Sequence, residues 1–169
     1  MGFAMDPYAI FLVRWLHIVN GIMWVGLLWY FNFVQIPNMA KIPDDQKPAI
    51  SKVIAPAALF WFRWAALGTV IFGLIQAWQL GWIGQAMALG LTGGGAKMMM
   101  IGFGMWFGLI MAFNVWFVIW PNQQKALGLV DCPADQKPAA GRTAMLFSRT
   151  NTMLSIPMSY CMVAGPHLL

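Results

Sequence analysis

Residues 8–38 read YAIFLVRWLHIVNGIMWVGLLWYFNFVQIPN, an apolar run with one arginine and one histidine in its first half. The 29 residues from Tyr8 to Ile36 would extend about 43 Å as an α-helix, against about 30 Å of membrane hydrocarbon. We therefore predict a membrane span that tilts or protrudes and that stops at Pro37.

Part of this run occurs twice. The pattern MWxGLxxxFN is found at residues 23–32 and again at residues 105–114, a constant offset of 82 residues. The loop sequence DQKPA also recurs, at residues 45–49 and 135–139. The chain is therefore predicted to be a tandem duplication of a helical hairpin.

The composition excludes an ordinary soluble domain, because 60% of the residues are hydrophobic and only 9% are charged. We predict one all-α integral membrane domain over residues 1–169. The four predicted spans are residues 8–36, about 57–80, about 96–120 and about 143–164. The glycine-rich segment 81–95 is predicted to be a loop near the membrane interface.

The predicted architecture is a four-transmembrane-helix bundle built from two tandem hairpins. The first repeat covers about residues 7–82 and the second about residues 95–165. Parallel repeats of this kind are related by a pseudo-two-fold axis along the membrane normal.

The basic residues indicate topology and contact with anionic lipids, and not nucleic-acid binding. Most lie in the loops 37–56 and 121–142 or at helix ends, with no dense basic run. The positive-inside rule places these two loops in the cytoplasm and both termini in the periplasm of a bacterial inner membrane. We expect membrane lipids as partners, together with other membrane subunits or further copies of the chain.

His17 is a candidate haem ligand. Arg14 lies three residues earlier on the same helix face, and the repeat offset places Met99 opposite His17, with Lys97 half a turn away. A neutral imidazole facing a thioether or an amine can hold haem iron, and an arginine can pair with a propionate. The alternative is that His17 simply hydrogen-bonds a neighbouring helix.

The repeat also indicates a polar cluster on the cytoplasmic half. Asn32 and Asn114 end the odd-numbered spans, while Arg63 and Arg149 begin the even-numbered spans. No carboxylate lies in any span, so these guanidinium groups need an anion, carbonyl oxygens or water. The alternative is that both arginines extend to the headgroups and cap helix ends.

Two family resemblances follow from these motifs. The run RWLH at residues 14–17, the segment GIMWVGLLWYFNFVQIP and the segment SRTNTMLSIPM at residues 148–158 resemble the N-terminal membrane domain of the PuuD-type urate oxidases. This resemblance implies an oxidase membrane domain that passes electrons to a C-terminal cytochrome c, a domain that this sequence does not contain.

A weaker resemblance is to the HemJ-type protoporphyrinogen oxidases. It rests on His17 followed by Trp24-x-Gly26, and on a lysine that opens the third span. It implies haem b bound by His17 and Lys97.

Two functions from different classes remain open, and a third alternative is urate turnover by the cluster of Asn32, Arg63, Asn114 and Arg149. The first is a haem b-binding redox or electron-transfer module that acts with a partner, with His17 as one axial ligand, Met99 or Lys97 as the other, and Arg14 at a propionate. The second is a non-catalytic accessory or structural subunit of a larger respiratory or photosynthetic membrane complex, or a homo-oligomer. We assign no catalytic residue and do not expect the isolated chain to be an enzyme.

Overall fold

The computed structural model describes residues 6–168, so both ends of the predicted 1–169 domain, residues 1–5 and 169, lie outside the described residues. Within this range the chain is helical and contains no strand. Its helices are α1 (Pro7–Lys41), α2 (Lys47–Gln79), α3 (Ile83–Met87), α4 (Gly95–Leu127) and α5 (Lys137–Leu168).

Three helices, α1, α2 and α4, are long and apolar enough to cross a membrane. They contain 35, 33 and 33 residues. The prediction of an all-helical, membrane-compatible protein is confirmed. The fourth long helix, α5, has 32 residues but carries hydroxyl, amide and basic side chains along its length.

Each of these three helices contains a widened turn that ends two residues before a proline. The widened turns are Tyr30–Gln35, Ile50–Ile54 and Asn114–Ile119, and the prolines are Pro37, Pro56 and Pro121. A proline lacks an N–H group and its ring clashes with the carbonyl four residues earlier in a regular helix. The wider turn moves that carbonyl away and lets the helix continue.

The predicted helix ends at Pro37 and Pro121 were therefore wrong. α1 continues to Lys41 and α4 continues to Leu127. In the same way, α2 starts at Lys47, within the predicted loop 37–56. The predicted loop 81–95 also contains a short helix, α3.

The helices pack as two hairpins, α1 with α2 and α4 with α5. α5 also runs antiparallel to α1, because Trp29 contacts Ser155 whereas Asn32, further along α1, contacts Ser148.

α5 runs antiparallel to α4 as well. The beginning of α4 lies against the end of α5, where a Cβ added at Gly165 would meet Ile101. The end of α4 contacts the middle of α5 through Asn114 and Asn151. Because α5 opposes both α1 and α4, these two helices point the same way, and the loops that follow them share one end of the molecule.

The main core lies between α1, α2, α4 and α5. Its centre includes Trp24, Leu28 and Met111, which are at most 1% exposed. A second, smaller cluster packs α3 onto α4 and α2 around Ala86 and Met98. The short helix α3 thus covers the opposite end of α4 from the charged loops.

An exposed ion pair lies in the loop between α1 and α2. Lys47 Nζ donates to Asp44 Oδ1 at 2.6 Å. This hydrogen bond and the lysine charge lower the pKa of the Asp44 carboxyl below its usual value. Because both groups face water, we assign the pair little weight in stability.

Candidate functional site

His17 faces α2. Its Nδ1 lies 2.8 Å from the backbone oxygen of Thr69, and since a carbonyl oxygen only accepts, Nδ1 carries the proton. A Cβ added at Gly73 would lie 2.8 Å from the imidazole Cε1, so the ring fits only against glycine there. Nε2 keeps its lone pair and has no hydrogen-bond partner among the described residues.

Glycines let α1 and α2 approach each other closely beside this histidine. A Cβ added at Gly68 would overlap the Asn20 side chain, and one added at Gly21 would lie 3.9 Å from the Thr69 methyl group. The side of α1 that carries Gly21 is therefore in contact with α2.

The other residues of the predicted haem site lie apart from this contact. Arg14 is exposed on α1, one turn before His17. Lys97 is exposed, and Met99 is 42% exposed on α4. The methionine that α4 turns inward at this level is Met98, which is 7% exposed.

The two asparagines of the predicted polar cluster both bind α5. Asn32 Nδ2 donates to Ser148 Oγ at 2.8 Å and to the Leu28 carbonyl at 2.9 Å. Asn114 Nδ2 donates to Asn151 Oδ1 at 2.8 Å. The two asparagines therefore bind α1 and α4 to the same face of α5.

Arg63 packs against aromatic rings. Its guanidinium carbon lies 3.8 Å from the centre of the Trp120 ring and 5.5 Å from that of Phe60. A guanidinium stacked on an aromatic face is stabilised by the ring quadrupole. Its Nη1 is buried and has no hydrogen-bond partner among the described residues.

Arg149 is exposed on α5, next to the buried Ser148 that binds Asn32. No hydrogen bond links any two of Asn32, Arg63, Asn114 and Arg149 within residues 6–168. The asparagines join the helices, while Arg63 lies over α4.

A cavity of about 210 Å³ opens between α1, α2, α4 and α5 at the end of the bundle that carries the charged loops. Phe31 and Gln35 line it from α1, Gln123 from α4, and Ser148 from α5. The Gln35 Oε1 atom is buried and has no hydrogen-bond partner among the described residues. This cavity was not predicted from the sequence.

The polar face of α5 was also missed as a site. Ser148, Asn151, Thr152 and Ser155 are all buried. Trp29 Nε1 donates to Ser155 Oγ at 2.9 Å. The spacing of three and four residues between these side chains, inside an otherwise apolar span, was the available signal.

Within the described chain, no group of three His, Cys, Asp or Glu side chains could hold a metal ion. A metal centre ligated only by protein side chains of these types is therefore not built into residues 6–168. Haem iron is different, since the porphyrin supplies four of its ligands and the protein needs to supply only one or two.

A comparison with protein families matches residues 86–168 to the family described as urate oxidase N-terminal. Over these residues the chain is similar to the urate oxidase N-terminal family. The match covers α4, α5 and part of α3, and it includes the segment 148–158 on which the resemblance was based. The resemblance is thus confirmed for the second hairpin.

The other segments quoted for the resemblance, between residues 14 and 37, precede the matched range of the urate oxidase N-terminal family. Of these residues, 23–32 share the pattern MWxGLxxxFN with residues 105–114 of the matched range. Comparisons with curated proteins and with solved structures found no match.

Proposed function

We propose that this chain is a membrane-embedded redox module of the urate oxidase N-terminal family, in which His17 supplies an axial ligand to haem b. The observation that carries the proposal is the hydrogen bond from His17 Nδ1 to the Thr69 carbonyl. Metal-binding histidines generally donate their second ring nitrogen to a carbonyl or carboxylate in this way. The bond orients the ring and leaves Nε2 as the ligand atom.

Haem b would supply one-electron chemistry, and the chain's own residues would hold and orient it. Arg14, exposed one turn from His17, is placed to pair with a propionate. Lys97 and Met99 are exposed on α4, which is not among the helices that pack closely on α1. A second axial ligand from either residue would therefore come most directly from a neighbouring copy of the chain.

His17→Ala is expected to abolish haem binding, because no other histidine lies within the spans. The measurement is a dithionite-reduced minus oxidised spectrum of the protein purified in mild detergent. The wild type should show a haem b band, and the variant should not.

His167→Ala is the matched control. His167 is exposed near the end of α5 and is the only other histidine in the sequence, so its variant should keep the full band. A colourless wild-type protein, or a band retained in His17→Ala, contradicts the proposal.

The proposal includes the finer architecture and topology. α5 would cross the membrane as the fourth span, and a pseudo-two-fold axis along the membrane normal would relate the two hairpins. The support is that α1 and α4 point the same way, which places both basic loops at one end. The positive-inside rule then assigns this end to the cytoplasm of a bacterial inner membrane and both termini to the periplasm.

Lysine labelling tests this topology. Lys47 and Lys137 begin the helices that follow the two basic loops, whereas Lys97 lies at the opposite end of α4. A membrane-impermeant amine reagent should modify Lys97 from the periplasmic side, and Lys47 and Lys137 only from the cytoplasmic side. Labelling of Lys47 and Lys137 from opposite sides would contradict the parallel repeat.

The second candidate is a non-catalytic accessory or structural subunit of a larger membrane complex or of a homo-oligomer. Its support is that Asn32 and Asn114 use their side chains in contacts with α5. In this case the protein would purify colourless within a larger assembly, and His17→Ala would leave the assembly and its activity unchanged.

A further inference from the structure

The cavity at the charged-loop end of the bundle is the feature that neither the haem proposal nor the family match explains. All four long helices contribute to its wall. Trp120 lies one turn before Gln123 in α4, and tryptophans mark the headgroup level of a membrane protein. The cavity is therefore reached from the membrane interface.

The cavity contains an unused hydrogen-bond acceptor. Gln35 lines the cavity, and its Oε1 is buried without a partner among the described residues. A buried acceptor without a donor is unfavourable by about 1–3 kcal/mol.

Apart from Gln35, Gln123 and Ser148, the lining is apolar, and none of the described residues that form it is charged. Phe31, Leu59 and Ala144 contribute from three different helices. An anion would find no cation here, and a fully polar ligand would lose its hydration without compensation. The lining instead fits a flat apolar body with hydroxyl or N–H donors at its edge.

We infer that the cavity binds the headgroup of a membrane quinol, an uncharged aromatic ring with hydroxyl groups at its edge. A quinol hydroxyl donates to Gln35 Oε1, and the ring lies against Phe31. The oxidised quinone has only acceptor oxygens, so it leaves this amide oxygen unpaired and binds more weakly. This binding does not depend on haem at His17.

The test uses durohydroquinone and its oxidised form, duroquinone, as soluble probes of the purified protein in mild detergent, with binding measured by isothermal titration calorimetry. Wild-type protein should bind durohydroquinone about tenfold or more tightly than duroquinone, the ratio expected for one hydrogen bond. Gln35→Leu should weaken durohydroquinone binding by about tenfold.

Gln79→Leu is the matched control. Gln79 Oε1 is also buried without a partner among the described residues, but Gln79 ends α2 outside the cavity. Its variant should bind durohydroquinone like the wild type.

Gly141→Ala provides a second variant that adds a methyl group to the opposite wall of the cavity. A Cβ at Gly141 would lie at an ordinary 3.6 Å from Ala126 Cβ, so the helix contact tolerates the change and the cavity becomes smaller. This variant should weaken durohydroquinone binding while its thermal unfolding temperature is kept.

Three results would overturn the inference: no durohydroquinone binding by the wild type, equal affinities for the two probes, or equal losses in Gln35→Leu and Gln79→Leu. Each can occur whether or not His17 binds haem. The haem spectrum of the same preparations therefore reports separately on the proposed function.

Discussion

Gly102→Ala is expected to destabilise the protein by about 1–3 kcal/mol. A Cβ at Gly102 of α4 would overlap the backbone carbonyl oxygen of Ala86 in α3. A carbonyl in a helix cannot rotate away as a flexible side chain can, so α3 must move away from α4. This movement opens the small core cluster around Ala86 and Met98.

Gly108→Ala is the control for this substitution. Gly108 lies six residues further along the same helix and has nothing within 4 Å of its added Cβ. Alanine is a better helix former than glycine by up to about 1 kcal/mol, so this variant should be as stable as the wild type or slightly more stable. Unfolding in mixed micelles of mild detergent and dodecyl sulfate, followed by tryptophan fluorescence, measures both variants. Equal stabilities would contradict the close contact between α3 and α4.

Asn151→Ala is expected to lower the free energy of unfolding by about 2–3 kcal/mol. Asn151 is 0% exposed. Its Nδ2 donates to the Met111 carbonyl at 2.9 Å, and its Oδ1 accepts from Asn114 at 2.8 Å. The variant loses both bonds, leaves the buried Asn114 amide without its acceptor, and creates a small cavity between α4 and α5.

The neighbouring Thr150→Ala is the control, since Thr150 is exposed and bonds only the Leu146 carbonyl of its own helix. Its effect should stay within about 0.5 kcal/mol. Asn114→Ala combined with Asn151→Ala should cost less than the sum of the single variants, because the two residues share one hydrogen bond. The same unfolding assay applies. A loss in Asn151→Ala no larger than that in Thr150→Ala would show that the amide pair does not hold α4 to α5.

The internal repeat shows what can and what cannot be predicted from the sequence. Trp24 and Trp106 occupy equivalent positions of the repeated pattern. Trp24 is 1% exposed in the main core, while Trp106 is 42% exposed and donates to the carbonyl of Met87, the last residue of α3. The two copies share a local sequence pattern but have different neighbours. The short helix α3 follows only the first hairpin, and its last carbonyl accepts a hydrogen bond from α4.

The prolines show a second limit of predicting the structure from the internal repeat. Pro37 and Pro121 are separated by 84 residues, whereas the pattern that precedes them repeats at 82. The position of each widened turn is set by the proline two residues after it. Asn32 is therefore the third residue of its turn, and Asn114 is the first residue of its turn. The two asparagines consequently contact different residues of α5, Ser148 and Asn151. A comparison of aligned letters alone could not predict this difference.

The sequence by itself determined the all-helical, membrane-compatible class and the similarity of the second hairpin to the urate oxidase N-terminal family, because long apolar runs and local motifs are properties of neighbouring residues. Only the tertiary structure decided that His17 binds Thr69, that Arg63 lies on Trp120, and that a cavity forms beside Gln35. These contacts join residues on different helices. They depend on where each helix approaches another, and that is set by glycines, prolines and the packing of whole surfaces.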